Sequence, residues 1–233
     1  MDKLYNKLKK YTIKDAINFE QKDRQFLALK KLYKSKKMSN ENYLFLIITN
    51  ALISYQLSWK WEDYWEEFSS FLENKNFANF SEIYTFFEEF LPASKNNKRF
   101  IETKLKRVKK LAPLAPFEGD IRSFEYYYKN MDKLALDLSK VMNQKIEAKT
   151  IVFAVKIFSY WARNVFSYLE YFPKNLMIPI DSRLENLYKK YKNKEIINKK
   201  EIKEFYINLS EKLNIPLLHL DAILWVNYNE LMK

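Results

Sequence analysis

Apolar residues recur at intervals of three and four along most of the chain, which is the spacing of one face of an α-helix. The spacing predicts surface helices over Leu4–Tyr11 and Ile13–Tyr33, and a central buried helix over the apolar run 43–58. It also predicts helices from 61 onward and over 82–91, 97–110, 124–141, 149–168, 183–191, 199–212 and 217–232. No segment has a persuasive strand pattern, so the sequence predicts an all-α fold.

The composition agrees with long helices joined by short connections, because the chain has one Gly and six Pro and so little material for tight turns. Proline clusters predict two connections between helical lobes, near 112–120 and near 172–180. We therefore expect residues 1–233 to form a single unit of two helical lobes. The first residues carry no apolar leader and the run Tyr43–Leu57 is too short to span a bilayer, so we expect a cytoplasmic protein without a membrane partner.

The rare residue types exclude several kinds of site. The absence of Cys excludes disulfides, Cys-ligated zinc and iron–sulfur clusters. The single histidine, His219, excludes a zinc site of two or three histidines, and the single glycine, Gly119, excludes a Gly-rich phosphate loop. The net charge of +12, carried by 41 Lys+Arg against 29 Asp+Glu, points to a polyanionic partner.

The most informative group of polar residues is a pair of lysines on one predicted helix. Lys149 and Lys156 are seven residues apart and lie on the same face, about 10.5 Å from each other. Between them only Thr150 is polar. Such lysines either extend into solvent or stay partly desolvated, which favours the neutral amine that can form a Schiff base.

Two acidic residues follow in apolar surroundings. Asp181 precedes a predicted helix, where it is either the N-cap or, if Ser182 and Glu185 form a capping box instead, a carboxylate free for chemistry. Asp221 and Trp225 are four residues apart on one helical face and are either an N-cap with a core tryptophan or the wall of a base-sized pocket. For His219 we expect a structural role.

Several of these segments together resemble the archaeal-type 8-oxoguanine DNA glycosylase/lyase family, AGOG, a branch of the helix-hairpin-helix glycosylases. The resemblance runs in order from about residue 20 to residue 228. Its blocks are Asn50–Leu57, Glu62–Phe68, Lys149–Lys156, Ile178–Arg183 and His219–Trp225. It implies an all-α, two-lobed helix-hairpin-helix fold with the active site in the cleft between the lobes.

The resemblance also implies roles for individual residues. Lys149 corresponds to the lysine that attacks the sugar C1′, and Asp181 to the catalytic aspartate. The residues that fall where the family contacts the extruded base are Gln25, Ser54, Phe153, Lys156, Pro179, Asp221 and Trp225. The aromatic side chain that stacks on the base is either Tyr64 or Trp65.

By resemblance the protein is a DNA repair enzyme that excises 8-oxoguanine and nicks the strand by β-elimination, with no metal and no cofactor. The implied substrate is double-stranded DNA, with single-stranded DNA left open, and the implied state is an intracellular, nucleoid-associated monomer. Two features depart from the family. The predicted hairpin turn within Ser139–Ala148 lacks glycine, which leaves Lys140, Lys145 and helix amides to bind phosphate, and Trp61 stands where a small residue is expected.

Two other classes of function remain open from the residues alone. One is a lysine-rich helical module that binds nucleic acid without catalysis, which predicts steeply salt-dependent binding with no preference for damaged sites. The other is a helical scaffold for protein interactions whose positive charge reflects codon bias, which predicts no DNA binding at physiological salt.

Overall fold

The computed structural model describes residues 2–112, 120–196 and 198–233, and within these ranges it has fourteen helices and no strand. The all-α prediction is confirmed. The helices are α1 Asp2–Leu8, α2 Ile13–Lys22, α3 Arg24–Ser35, α4 Asn40–Ile53, α5 Trp61–Phe71, α6 Phe80–Ala93, α7 Ile101–Lys110, α8 Ile121–Lys129, α9 Met131–Met142, α10 Lys149–Phe166, α11 Ser182–Lys192, α12 Lys199–Leu213, α13 Leu217–Val226 and α14 Tyr228–Leu231.

Local capping divides two of the predicted helices. The predicted helix over Ile13–Tyr33 ends at Lys22, because the side chain of Asp23 accepts a hydrogen bond from the Gln25 amide and begins α3. The predicted helix over 124–141 is broken at Asn130, between α8 and α9. In contrast, Pro92 does not end α6, which continues to Ala93.

The chain divides into two compact units, one discontinuous and one continuous. Residues 2–22 and 171–233 form what we call the terminal unit, and Asp23–Glu170 forms the central unit. The second crossing lies next to the predicted connection at 172–180, whereas a crossing near residue 22 was not predicted. Of the predicted connection near 112–120, residues 113–119 lie outside the described residues, and the helices on either side both belong to the central unit.

The core of the central unit is built around α4 and α10, which pack on each other. Every residue of α4 from Tyr43 to Ile53 is buried, as expected of a helix that is apolar on all sides. Beside it, rings from α5 and α6 form an aromatic cluster that includes Tyr64, Trp65 and Phe68. The central unit therefore packs α10, whose first residue is Lys149, against the buried helix α4.

The terminal unit brings the two ends of the chain together. Helix α2 packs on α13, and α1 packs on α12. Buried apolar residues from both ends share one core, among them Leu4, Ala16, Leu187 and Leu220. Within the described ranges, none of the helices is long and apolar enough to cross a membrane.

His219 lies in this core with both ring nitrogens bonded. Its Nδ1 is 2.9 Å from Glu20 Oε1, and its Nε2 accepts the Phe172 N–H at 3.3 Å. Because Nε2 is the acceptor, the proton of the neutral ring lies on Nδ1 and is donated to the Glu20 carboxylate. Glu20 precedes the point where the chain leaves the unit, and Phe172 follows the point where it returns. One imidazole thus joins both, and the expected structural role of His219 is confirmed.

Candidate active site

The turn between α9 and α10 closes without glycine. Asn143 ends α9 with φ 50° and ψ 52°, in the left-handed region that Asn tolerates better than most residues. The next amide, of Gln144, donates to the Ser139 carbonyl at 2.9 Å, which completes the helix end. Asn143 therefore provides the conformation that a glycine would otherwise supply, and the hairpin forms. The phosphate contacts predicted for Lys140 and Lys145 remain predictions.

A side chain from α7 fastens this turn to α10. Nη2 of Arg107 donates to Gln144 Oε1 at 3.0 Å and to Thr150 Oγ1 at 3.2 Å. The Thr150 hydroxyl in turn donates to Gln144 Oε1 at 3.0 Å. Thr150 directly follows Lys149, so these bonds fix the first turn of α10 and with it the backbone that carries the candidate nucleophile.

Lys149 is the first residue of α10 and its side chain is exposed. Its ammonium makes no hydrogen bond or ion pair with the described residues, and Nζ lies 5.9 Å from the centre of the Trp61 ring. Phe153 and Lys156, on the same face, are half-buried, whereas the residues between them, such as Val152 and Val155, are largely buried. The face predicted from the lysine spacing is therefore present.

The aromatic ring beside this face belongs to Trp61. The Trp61 and Phe153 rings are 4.8 Å apart, edge to face at 61°, and Trp61 is only partly buried. Tyr64 and Trp65, predicted to stack on the base, are both 0% exposed. Stacking by Tyr64 or Trp65 stays a prediction, and Trp61 is the more accessible ring beside Lys149.

The side chains of the two polar residues expected near the base differ in the hydrogen bonds they already make. The side-chain amide of Gln25 makes no hydrogen bond with the described residues, although the residue is largely buried. The hydroxyl of Ser54, in contrast, donates to the Asn50 carbonyl at 2.6 Å, and its side chain is 1% exposed. The base contacts of Gln25 and Ser54 both stay predictions, although the Ser54 hydroxyl already bonds the end of α4.

A buried polar network lies behind this region. The ammonium of Lys104 donates to Asn97 Oδ1 and lies 5.0 Å over the Tyr55 ring. Asn97 donates to the Tyr64 hydroxyl at 2.9 Å, and that hydroxyl donates to Asn50. Burial, with a smaller effect from the charge of Arg99, lowers the pKa of Lys104 to about 8.

The lowered pKa of Lys104 predicts a pH-dependent stability. Between about pH 8 and pH 10.5 the unfolded chain keeps a proton on Lys104 that the folded protein has released, so raising the pH through this window stabilises the fold. Relative to Lys104→Met, we expect the wild-type free energy of unfolding to rise by about 2 kcal/mol between pH 7.5 and pH 10. Urea unfolding at both pH values measures this difference, and an equal response of the two proteins would contradict it.

Asp181, in the terminal unit, is the N-cap of α11. Its Oδ1 accepts the N–H groups of Arg183 and Leu184 at 3.0 and 3.1 Å. The alternative in which Ser182 caps the helix is not the one adopted, because α11 begins at Ser182 itself. The other oxygen, Oδ2, accepts no hydrogen bond from the described residues. Asp181 thus caps the helix with one oxygen and keeps the second available.

Asp221 and Trp225 lie on α13, away from its N-terminus. Asp221 is 8% exposed and Trp225 is half-buried, so neither fits the alternative of an N-cap with a core tryptophan. Burial raises the pKa of the nearby Tyr206 hydroxyl, and the charges of Asp181 and Asp221 raise it further. The two carboxylates therefore share one neighbourhood within the terminal unit.

One face of Trp225 is already covered. The guanidinium carbon of Arg183 lies 3.4 Å from the centre of the Trp225 ring and 5.7 Å from that of Tyr228. Pro179, the remaining predicted base contact, is buried in this unit. Trp225 can present only its opposite face or its edge to a ligand. In the part of the chain that the structure describes, no cluster of three or more His, Cys, Asp or Glu is arranged to hold a metal ion.

Comparison with known proteins shows which family the chain belongs to. The sequence profile of the N-glycosylase/DNA lyase family AGOG matches residues 5–233. The chain belongs to this family. An AGOG relative from Methanococcus maripaludis, named N-glycosylase/DNA lyase, is 36% identical over 92% of this chain and 82% of its own length. Another AGOG relative, with the same name and from Nanoarchaeum equitans, is 36% identical over 96% and 89%.

The fold agrees with that of a solved AGOG structure, the Pyrobaculum aerophilum 8-oxoguanine DNA glycosylase in complex with 8-oxoguanosine. The two superpose with a TM-score of 0.80 over 98% of this chain and 87% of that one, at 22% identity. As an AGOG member the chain is a bifunctional DNA glycosylase and lyase that binds DNA.

Two contacts, that of Trp61 with Phe153 and that of Arg183 with Trp225, were not predicted from the sequence. Trp61 shares a helical face with Tyr64, Trp65 and Phe68, and only its place in the first turn of α5, at the end of the aromatic cluster, distinguishes it. Arg183 and Trp225 are far apart in sequence, and no local pattern signals their contact.

Proposed function

We propose that this enzyme removes 8-oxoguanine from DNA and cleaves the strand, with Lys149 as the nucleophile. The observation that carries the proposal is the exposed ammonium of Lys149, without an ion-pair partner among the described residues, beside the paired rings of Trp61 and Phe153. The solved relative from Pyrobaculum aerophilum, which is described as an 8-oxoguanine DNA glycosylase, supports the choice of base.

In the proposed reaction the neutral amine of Lys149 forms a bond to C1′ while the bond from C1′ to the base breaks. The base leaves and takes up a proton. The sugar ring then opens, with its oxygen protonated, to give a Schiff base between C1′ and Nζ. Loss of a proton from C2′ expels the 3′ phosphate, so the strand is nicked 3′ to the lesion.

Asp181 is the electrostatic partner in this proposal. Its Oδ1 is held by two helix amides, which fixes the carboxylate, and Oδ2 remains to face the positive charge that develops on the sugar. A carboxylate at the positive end of a helix is stabilised in its ionised form. Asp181 is therefore suited to stabilise an oxocarbenium-like transition state.

Base recognition falls to the aromatic pair and to polar side chains. Trp61 and Phe153 supply the faces and edges that hold an extruded purine. Guanine and 8-oxoguanine differ at N7, which carries a hydrogen only in the oxidised base, so discrimination needs an acceptor there. The side-chain oxygen of Gln25 is one such acceptor, and we assign the further base contacts to Lys156, Pro179, Asp221 and Trp225.

The net charge of +12 favours DNA as the partner, and we propose duplex DNA, from which the base must be extruded, as the substrate. Cleavage of single-stranded DNA is a separate prediction, which a single-stranded oligonucleotide carrying 8-oxoguanine tests on a denaturing gel. The monomeric state and the location at the nucleoid also remain predictions.

Borohydride trapping tests the proposed function. The wild-type protein is incubated with a duplex that carries one 8-oxoguanine opposite C, and with a matched duplex that carries guanine. Reduction of the Schiff base is expected to give a covalent protein–DNA band with the oxidised duplex only. Binding without a band would favour a glycosylase that lacks lysine chemistry, and binding without preference for the oxidised duplex would favour a non-catalytic DNA-binding protein.

A further inference from the structure

Two neighbouring loops of the central unit present the most exposed aromatic rings near the candidate nucleophile. We call residues 54–60 the Trp59 loop and residues 94–100 the Phe100 loop. Trp59 is 72% exposed and Phe100 is 60% exposed. The loops are joined, because the Ser58 N–H donates to the Asn96 carbonyl at 2.8 Å. The backbones of the two loops therefore lie side by side, and we treat their exposed side chains as one surface.

The charge of this surface is entirely positive within the two loops. Lys60, Lys95, Lys98 and Arg99 are all exposed, and neither loop contains an acidic residue. Aromatic rings interleaved with cations are the pattern with which proteins bind bases and phosphates together. The composition of the surface therefore fits nucleic acid better than an apolar protein partner.

Hydrogen bonds to Glu67 and Ser94 hold the Phe100 loop in place. Glu67 on α5 accepts the Lys95 and Asn96 amides at 2.6 and 3.2 Å and the Ser94 hydroxyl at 2.9 Å. The Asn97 amide donates to the Ser94 hydroxyl at 2.8 Å. These bonds hold the backbone of the loop without using the exposed side chains of Lys98 and Arg99.

Phe100 itself is held in an unfavourable backbone conformation. Its φ of 57° and ψ of 38° lie in the left-handed region, which costs a bulky residue about 1 kcal/mol or more. Because the Phe100 ring is mostly exposed, little burial of apolar surface offsets this cost. Such conformations persist where the surroundings impose them, commonly at binding sites.

Trp59 is also close in sequence to the candidate active site. It lies two residues before Trp61, a separation of at most about 7 Å along the backbone. The Trp61 ring contacts Phe153 and lies beside Lys149. When a base is extruded from a duplex, the bases that flank it lose a stacking partner and the base opposite loses its pairing partner. The exposed Trp59 ring offers such an unpaired base a surface to stack on.

We propose that the Trp59 and Phe100 loops form a DNA-binding surface, on which Trp59 stacks against the base left unpaired opposite the extruded nucleotide while Lys98 and Arg99 contact phosphates. The surface serves the proposed function and rests on it. It adds a residue that acts on the DNA and not on the excised base.

The test uses a duplex in which a tetrahydrofuran abasic analogue lies opposite 2-aminopurine. This duplex has no base to release and cannot form a Schiff base, so the measurement is independent of the nucleophile. We expect wild-type protein to quench the 2-aminopurine fluorescence on binding. Trp59→Ala is expected to bind about tenfold more weakly and to lose the quenching, whereas Trp59→Phe retains most of both.

Matched variants separate stacking from charge and from general damage. Tyr126→Ala removes another exposed ring of the same unit, on α8, and should change neither affinity nor quenching. Lys98→Ala with Arg99→Ala should reduce the slope of log affinity against log salt by about one to two. Lys34→Ala with Lys37→Ala, exposed on and after α3, should leave the slope unchanged.

Unchanged affinity and quenching in Trp59→Ala would overturn the proposal. A change in the sedimentation of the free protein caused by Trp59→Ala would also overturn it, by assigning the surface to contact between copies of the chain. If the wild type shows the expected quenching but gives no borohydride-trapped band, the DNA-binding surface stands and the proposed lysine chemistry fails.

Discussion

Lys149→Gln is expected to abolish base release and strand cleavage together, by about 10³-fold or more in each. Glutamine matches the length of most of the side chain but has no amine lone pair, so neither the bond to C1′ nor the Schiff base can form. Because Lys149 is exposed and makes no ion pair with the described residues, the substitution should leave folding and duplex affinity intact. Base release is measured by chromatography and nicking on a denaturing gel.

Lys156→Gln is the matched control, since it changes a lysine seven residues further along the same face of α10. The Lys156 ammonium lies 5.5 Å from the Tyr160 ring. Its loss should weaken base binding but leave borohydride trapping visible. Trapping that survives in Lys149→Gln and disappears in Lys156→Gln would transfer the role of nucleophile to Lys156.

Asp181→Asn should slow base excision by about 10²- to 10³-fold while leaving the fold unchanged. Asparagine caps a helix about as well as aspartate, so the hydrogen bonds to the Arg183 and Leu184 amides are kept and only the negative charge is lost. The single-turnover rate of excision and the midpoint of thermal unfolding measure the two effects separately.

Two comparisons make the Asp181 experiment decisive. Asp181→Ala removes the cap as well as the charge and should also lower the free energy of unfolding by about 1 kcal/mol. Asp120→Asn changes another capping aspartate, at the start of α8, and should keep the wild-type rate. An Asp181→Asn enzyme with the wild-type rate would remove Asp181 from the chemistry and leave it as a cap.

Periodicity and composition predicted the helical fold well because they report burial, which determines most of this chain. The boundaries depended on finer effects. Asp23 begins a new helix because its carboxylate reaches the Gln25 amide, and a hydrophobic stripe that continues across it hides that break. Pro92 was expected to follow the end of a helix, but it lies in the last turn of α6, which continues to Ala93.

The candidate site was predicted less evenly. The lysine face of α10 follows from helical spacing and could be read directly. The different burial of the aromatic residues of α5 could not, because Trp61, Tyr64 and Trp65 share one helical face and differ only in how deeply each extends into the neighbouring core. Arg183 on Trp225 and Glu20 on His219 are pairings between distant segments, and a single sequence contains no signal of which partners meet.

The discontinuous core of the terminal unit imposes an order on how the protein folds during its synthesis. The central unit is complete once residue 170 has left the ribosome, and it can fold at that point. Helices α1 and α2, although translated first, have their partners on α12 and α13 near the other end of the chain. The apolar residues of α1, among them Leu4 and Leu8, therefore stay without their native core until α12 and α13 have been synthesised, and that interval is when this part of the nascent chain is most exposed to aggregation and proteolysis.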